Sequence, residues 1–415
     1  MSEKLQAPRG TYDVLPEDAP ARAALEAKAR DVLEAAGYER VETPAFEATE
    51  LFSRSVGEAT DIVRKEMYTF EDAGGRSLTL RPEGTAPVAR AYVEHGMHKR
   101  AQPVKLWYLG PFFRFERAQA GRYRQFWQVG AEAIGSADPA VDAESILVLT
   151  TLLEELGVRG LRTRLGSLGR PETRVAYRDQ LQAHLRDNAD RLSDDVRARI
   201  ELNPLRAFDA DHEGTREVMR AAPVLLDFLD ADDATHFAAV RELLDAAGLA
   251  YDVDPTLVRG LDYYTRTVFE IESTELGAQA AVGGGGRYDG LIEQLGGPAT
   301  PGMGWAMGIE RALLAGRAPP ATASPVDLLL ANPGGAIGPV EFRLALEARR
   351  AGLRAQLDLA GRSMKGVLKH ADRLEARYVA WIEGDAAQLK DMQSGEQSQL
   401  PPDGVVRTVL RGPGL

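Results

Sequence analysis

The sequence contains no cysteine, which excludes disulfides, thiolate zinc sites and a cysteine nucleophile and fits a reducing compartment. Histidine is scarce too, with six among 415 residues. None of the six has metal-ligand spacing: His95 and His98 fall near the end of a predicted helix without a third ligand. No apolar run reaches the length of a membrane helix, and the opening Met1-Ser-Glu-Lys-Leu-Gln-Ala-Pro-Arg-Gly10 lacks the apolar centre of a signal peptide. The expectation is a soluble cytoplasmic protein. Nor is there a Ser-His-Asp arrangement or a nucleophile elbow, an internal repeat or a low-complexity tract.

Positive charge is also in deficit. Fifty Lys and Arg stand against 62 Asp and Glu, a net of −12, which argues against indiscriminate binding to nucleic acid, because phosphate contacts need local cations. The deficit is uneven. Residues 325–415 carry 12 basic and 11 acidic side chains, a net of +1, so residues 1–324 carry −13. Residues 171–240 alone hold 9 basic and 15 acidic ones, a net of −6. A nucleic-acid partner would meet selected patches, and the C-terminal region is the least repulsive.

What is present is a globular chain, 44% apolar and too long for one ordinary core, so two or three domains are expected. Helical spacing of Leu25, Ala29, Val32, Leu33 and Ala36 ends at Gly37. Tyr38 to Pro44 reads as a short strand. Strands at 67–70 and 77–80 flank Ala73-Gly-Gly75 as a hairpin, and Thr85 is placed to cap the helix that follows to about His95. A longer hairpin joins 106–116 to 125–134 through an arginine-rich loop, 117–124. Its alternation puts Arg114 and Glu116 on one face of the first strand. On the second, Gln128, Gly130 and Glu132 share one face, with Trp127, Val129 and Ala131 opposite.

A helix is expected over 139–156 and an acidic, mostly helical insertion over 171–248. The run Val258-Arg-Gly-Leu-Asp-Tyr-Tyr-Thr-Arg-Thr-Val-Phe-Glu270 reads as a strand whose alternation separates Tyr264, Arg266, Val268 and Glu270 from Tyr263, Thr265, Thr267 and Phe269, with Arg259 at the mouth of a polar pocket. Beyond a Pro- and Ala-rich linker, 318–325, the order strand, helix, strand, helix, strand predicts a small sheet domain with parallel pairings.

The chemistry is carried by arginines and by acceptors. Gly283 to Gly286 allow a close backbone approach, and Gly302-x-Gly304-x-x-x-Gly308 precedes a helix start, but the spacing is neither a dinucleotide nor a Walker fingerprint. Arg114, Arg122, Arg124, Arg259 and Arg311 each sit by a strand end, a hairpin loop or a glycine-rich helix start. Several guanidiniums on one sheet repel unless anions answer them, and their forks suit phosphate oxygens. Glu83, Thr85, Gln128 and Glu132 can accept hydrogen bonds from an ammonium group or a ring nitrogen.

These residues resemble the histidyl-tRNA synthetases, a class II aminoacyl-tRNA synthetase family, from Ala7-Pro-Arg-Gly-Thr-Tyr-Asp-Val-Leu-Pro16 to Leu359-Ala-Gly-Arg-Ser-Met-Lys365. Three class motifs are legible: the region leading to Pro44, Phe113-Arg-Phe-Glu116, and Gly304 to Arg311. Two family signatures accompany them, Val258 to Glu270 and Gly284-Gly-Gly-Arg-Tyr-Asp289. The resemblance implies an α+β fold: a class II core with an antiparallel sheet flanked by helices (1–170 and 249–320), a helical insertion contacting the tRNA acceptor arm (171–248), and a C-terminal α/β anticodon-binding domain (326–415). It implies a homodimer. It implies ligation of L-histidine to tRNA(His) through histidyl-adenylate, with ATP as substrate and Mg2+ on the pyrophosphate oxygens.

By motif, Glu83, Gly84, Thr85 and Gln128 would hold the amino-group side of histidine, and Glu132 and Tyr264 its imidazole, with Tyr263 beside them. Arg114 and Arg259 would be catalytic at the α-phosphate and the carboxylate. Glu116, Arg122 and Arg311, with Arg114, would bind ATP. Trp127 departs from the family, which commonly has histidine there, and Glu383-Gly-Asp385 should stay clear of RNA. The alternative is the non-catalytic regulatory subunit of ATP phosphoribosyltransferase in histidine biosynthesis, which shares the fold. That paralogue typically lacks the C-terminal domain and has an eroded arginine signature, whereas both are present here.

Overall fold

The structure, a computed structural model, describes residues 4–57, 60–118, 121–277, 280–316 and 326–412. Two units are separable, Met1–Pro320 and Ala321–Leu415. The linker expected at 318–325 lies outside the described residues.

In the first unit the strands are β1 (Glu39–Arg40), β2 (Phe46–Ala48), β3 (Tyr68–Glu71), β4 (Ser77–Leu80), β5 (Val104–Phe113), β6 (Gln125–Ile134), β7 (Leu161–Ser167), β8 (Tyr251–Val253), β9 (Thr265–Ser273), β10 (Ala281–Arg287) and β11 (Gly302–Gly308). Eight of them form one sheet, in the order β1-β5-β6-β11-β10-β9-β7-β8, and β2-β4-β3 form a smaller one. The large sheet is antiparallel through its centre but parallel at both margins, where β1 meets β5 and β7 meets β8.

The long hairpin pairs in continuous register from Val104 opposite Ile134 to Phe113 opposite Gln125. Side chains alternate between faces along a strand, so Trp107, Val129 and Ala131 fall on one side. There they meet Leu25, Leu149 and Phe237 from the helices Ala19–Ala35, Pro139–Glu155 and Ala231–Ala246. Leu106, Tyr108 and Phe112 fall on the other side, among Val88, Tyr92, Leu181, Tyr263 and Tyr264. Trp127 packs against the first cluster, with the Arg22 guanidinium 3.9 Å from its ring centroid. The first strand ends at Phe113, so Arg114 and Glu116 lie just past it; the Arg114 N–H still donates to the Arg124 carbonyl at 2.9 Å.

Several expectations are corrected. The strand at 38–44 shrinks to Glu39–Arg40. Thr85 does not cap its helix. It is the first residue of Thr85–Glu94, and the Glu83 carboxylate accepts from the N–H groups of Thr85 (2.7 Å) and Ala86 (2.9 Å) instead. A carboxylate there also suits the positive end of the helix dipole. The glycine run 283–286 forms the middle of β10, and Gly302 to Gly308, which does precede a helix (Ile309–Ala315), is itself β11.

The run 258–270 is a strand only from Thr265. Arg266 has φ of 46°, a left-handed conformation uncommon for a residue with a side chain. Its N–H donates to the Gly169 carbonyl at 2.8 Å, its carbonyl accepts from the Leu168 N–H at 2.7 Å, and its guanidinium turns to Asp233 at 2.9 Å. The β9–β10 register shifts between Gly286 and Arg287 at the same place. Alternation is therefore broken at Arg266, and Tyr263 and Tyr264, expected on opposite faces, are buried in the same cluster with ring centroids 4.8 Å apart.

Segment 171–248 is helical, as Pro171–Asp187, Asp194–Arg199, Glu213–Met219 and Ala231–Ala246. Its last helix places Phe237, Val240 and Leu244 in the cluster beneath the main sheet, so this part of the segment is core rather than appendage.

In the second unit, β12 (Leu328–Ala331), β13 (Ala355–Leu357), β14 (Tyr378–Glu383), β15 (Ala386–Asp391) and β16 (Gln397–Leu400) lie in the order β13-β12-β14-β15-β16. The expected parallel pairings are there, β12 with both β13 and β14. The antiparallel extension through β15 and β16 and the helix Val405–Arg411 were not anticipated, because Gln397-Ser-Gln-Leu400 has little apolar signal.

Candidate active site

A cavity of about 450 Å3 opens on the face of the large sheet that carries Tyr108 and Gln128. It gathers Glu83, Gly84, Thr85, Arg114, Glu116, Arg122, Gln128, Arg259, Tyr263, Tyr264 and Arg311, from stretches more than 200 residues apart in the chain. Of the residues expected from sequence, Glu132 and Arg124 are not on its wall.

The acceptors are held from below. Glu83 is buried, spends its oxygens on the helix N–H groups described above and takes the Tyr263 hydroxyl at 3.3 Å. Burial pushes its carboxyl upward, against the lowering effect of those donors. The Gln128 Oε1 is buried and has no hydrogen-bond partner among the described residues, an acceptor that awaits a donor. Tyr108 fills the floor between Gly84 and Gly130: a Cβ on either glycine would stand 2.3 or 2.2 Å from its ring.

Glu132 lies one layer down. It is fully buried, with Oε1 accepting from the Thr85 hydroxyl at 2.8 Å and Oε2 from the Tyr288 hydroxyl at 2.7 Å. Gly304 faces it across β11, where a Cβ would stand 1.7 Å from Oε2. Burial pushes this carboxyl up to about 8, although its hydroxyl donors pull the other way. A folded value above the ordinary 4.5 means that the native state holds the proton more tightly. The resulting stability is full below about pH 4.5 and is lost as pH rises through about 8. Wild type should therefore lose several degrees of Tm relative to Glu132→Gln between pH 5 and pH 9. Thermal unfolding of both proteins across that range checks this; parallel profiles would refute it.

The arginines do not stand as bare charges. Five of them line the cavity, and five acids accompany them: Glu83, Glu116, Asp209, Glu270 and Glu310. Arg114 donates through Nε to the Pro82 carbonyl at 2.8 Å and lies 3.9 Å from Glu116, which Arg122 approaches to 3.6 Å. Arg259 donates to Glu270 at 2.5 Å, and its Nε is buried without a hydrogen-bond partner among the described residues. Arg311 donates to the Ala281 carbonyl, and burial holds its guanidinium below its usual value. Arg124 is not on the wall. Its guanidinium lies 4.0 Å from the Phe115 ring centroid and bonds the carbonyls of Glu116 and Arg9.

Sequence reasoning passed over several participants. Glu310 accepts from the Trp127 N–H at 3.0 Å and from the Tyr12 hydroxyl at 2.6 Å, which ties the N-terminal segment to the site. Tyr108, Tyr288, Arg164 and Asp209 were also missed. Tyr288 stands inside the signature Gly284 to Asp289 but was given no role, and nothing local marks the other three, since each is defined by partners distant in the chain. Behind the sheet, buried Arg287 pairs with Asp142, which also hydrogen-bonds His236 at 2.8 Å. Among the described residues no group of three or more His, Asp or Glu could hold a metal ion, and no helix is long and apolar enough to cross a membrane.

This geometry can hold an ammonium-bearing ligand against carboxylate and amide oxygens and a polyanion against guanidiniums. Comparison with known proteins is consistent with it. A family model described as Histidyl-tRNA synthetase matches residues 10–312. A Histidine--tRNA ligase of Halorhodospira halophila is 50% identical over 99% of this chain and 99% of its own. One of Desulforamulus reducens is 47% identical over 95% of this chain and 96% of its own. Among solved structures, the apo histidyl-tRNA synthetase of S. aureus superposes with a TM-score of 0.79 at 36% identity, covering 97% of this chain and 99% of the other. With the family model spanning most of the chain and relatives about half identical across nearly all of it, the chain belongs to the histidyl-tRNA synthetase family.

Proposed function

We propose that the chain ligates L-histidine to tRNA(His) at this cavity in two steps. In the first, a carboxylate oxygen of histidine attacks the α-phosphorus of ATP. The new P–O bond forms as the bond to the bridging oxygen breaks, and pyrophosphate leaves with the electron pair. In the second, a hydroxyl of the terminal ribose of the tRNA attacks the carbonyl carbon of histidyl-adenylate and AMP departs. The attacking carboxylate is already ionised near neutral pH, so the first step needs no general base. What it needs is alignment and neutralisation of charge.

The observation that carries this reading is the presence in one cavity of ammonium acceptors (Glu83, Gln128) beside two tyrosines and guanidiniums from four separate stretches. Glu83, with Gly84, Thr85 and Gln128, takes the amino-group side of histidine. Tyr263 and Tyr264 flank the ring, and Glu132 acts from below through Thr85 and Tyr288. Arg259 and Arg114 meet the reacting phosphate and carboxylate; Glu116, Arg122 and Arg311 meet the rest of ATP. Magnesium would come with ATP, since among the described residues no group of three or more His, Asp or Glu could hold it, and would supply charge neutralisation for the leaving pyrophosphate. The regulatory-subunit alternative loses ground to ligases 47% and 50% identical over 95% and 99% of the chain.

The same reading takes residues 326–415 as the anticodon-binding domain, residues 171–248 as the contact to the acceptor arm, and a cytoplasmic homodimer as the working form. The purified chain should exchange pyrophosphate into ATP only when histidine is present. A version ending at Ala321 should keep that exchange and lose tRNA charging by about tenfold or more. Tight histidine binding without exchange would return the regulator to favour, and unchanged charging by the shortened chain would remove the anticodon assignment.

A further inference from the structure

Arg259 belongs to a stretch, 258–264, that has no strand or helix. No backbone ladder aims its side chain, so the partners of the guanidinium must do so. Tyr264 lies close to it, and Glu270 holds it in a hydrogen-bonded ion pair. Glu270 on β9 accepts from Arg259 Nη1 through Oε2 at 2.5 Å, while its other oxygen, Oε1, faces Arg164 Nη1 at 3.4 Å. Arg164 stands directly opposite Glu270 in the β7–β9 register. It is anchored from behind by Asp254, which takes Nε at 2.8 Å, and by Glu272 at 3.0 Å. On its other side Glu270 faces Gly284 on β10, over which Arg259 Nη1 lies: a Cβ at Gly284 would be 3.3 Å from that nitrogen. Thus acid and base alternate along one row, Asp254, Arg164, Glu270 and Arg259, three of the four on rigid strands or directly against them. Arg164, Arg259, Glu270 and the nearby Asp209 all line the cavity.

We propose that Glu270 is a positioning residue for adenylate formation: braced by Arg164, it fixes the Arg259 guanidinium over Gly284, where ATP meets it. Two cations so close would repel without the carboxylate between them, and an unaimed Arg259 would lose the preorganisation on which electrostatic catalysis depends. This deepens the role assigned above to Arg259 and rests on it.

The test is a double-mutant cycle in the full-length protein, read as the single-turnover rate of adenylate formation and, separately, as histidine affinity. Glu270→Gln should slow adenylate formation about ten- to a hundredfold and leave histidine affinity within about twofold. In an Arg259→His background the same substitution should have little further effect, because its action passes through Arg259. Glu270→Asp, which keeps the charge, should recover part of the rate, and it supplies the same two readings should Glu270→Gln not fold. A near wild-type rate for Glu270→Gln, equal losses of rate and histidine affinity, or full additivity with Arg259→His would each overturn the proposal. A near wild-type rate for Arg259→His alone would instead remove the role of Arg259 on which it rests.

Discussion

Arg259→His should lower the single-turnover rate of histidyl-adenylate formation by about 10²- to 10³-fold, while histidine affinity changes by no more than about threefold. The magnitude is that of removing one preorganised donor from a developing oxyanion. The asymmetry follows from where Arg259 sits. Its guanidinium is mostly buried, with 20% of the side chain exposed, and pairs with Glu270, which is no contact of Glu83 or Gln128. Removing it should spare the amino-acid end of the cavity. Histidine cannot replace it, since imidazole is largely neutral at pH 7 and offers no bidentate fork. Rapid quench with labelled ATP measures the rate, and equilibrium binding measures the affinity. An unaltered rate would show that other groups neutralise the phosphate.

Glu83→Gln should weaken histidine binding by roughly tenfold to a hundredfold, the range for replacing a charge-assisted hydrogen bond by a neutral one. Glutamine keeps the length and one acceptor oxygen. It cannot, however, serve both the Thr85 and Ala86 N–H groups and a substrate ammonium as a carboxylate does. The site is buried, which strengthens the effect. Part of the loss would come from the helix start that Glu83 caps. The informative comparison is therefore binding of histidine against binding of imidazole, which lacks an ammonium and should bind the variant and wild type alike. Isothermal titration with both ligands decides it; equal losses for the two would mean that the cavity floor, and not the amino-group contact, was damaged.

Much of the architecture was legible because it is local. Period-two alternation placed Trp127, Val129 and Ala131 on the buried side of the long hairpin and Gln128 and Gly130 on the other, and alternating strand and helix signals gave the parallel part of the C-terminal sheet. The arginine positions next to strand ends were legible for the same reason. Other features depended on partners that spacing does not reveal. Gln397 to Leu400 is a strand only because β15 pairs with it.

Residue types along the chain thus determined, by themselves, which chemistries were absent, which faces of the hairpin were apolar, and which arginines and acceptors were available. The tertiary structure alone decided their depth and aim. The non-local Gly169 carbonyl and Asp233 hold Arg266 at positive φ, and the chain before Thr265 leaves the strand, so that both tyrosines bury in one cluster. The Tyr288 and Thr85 hydroxyls take Glu132 one layer below the cavity, and Arg164 braces Glu270 against Arg259. The reason is physical: a hydrogen bond between groups as far as 156 residues apart depends on where the folded chain puts them, and no local period of the sequence encodes that meeting.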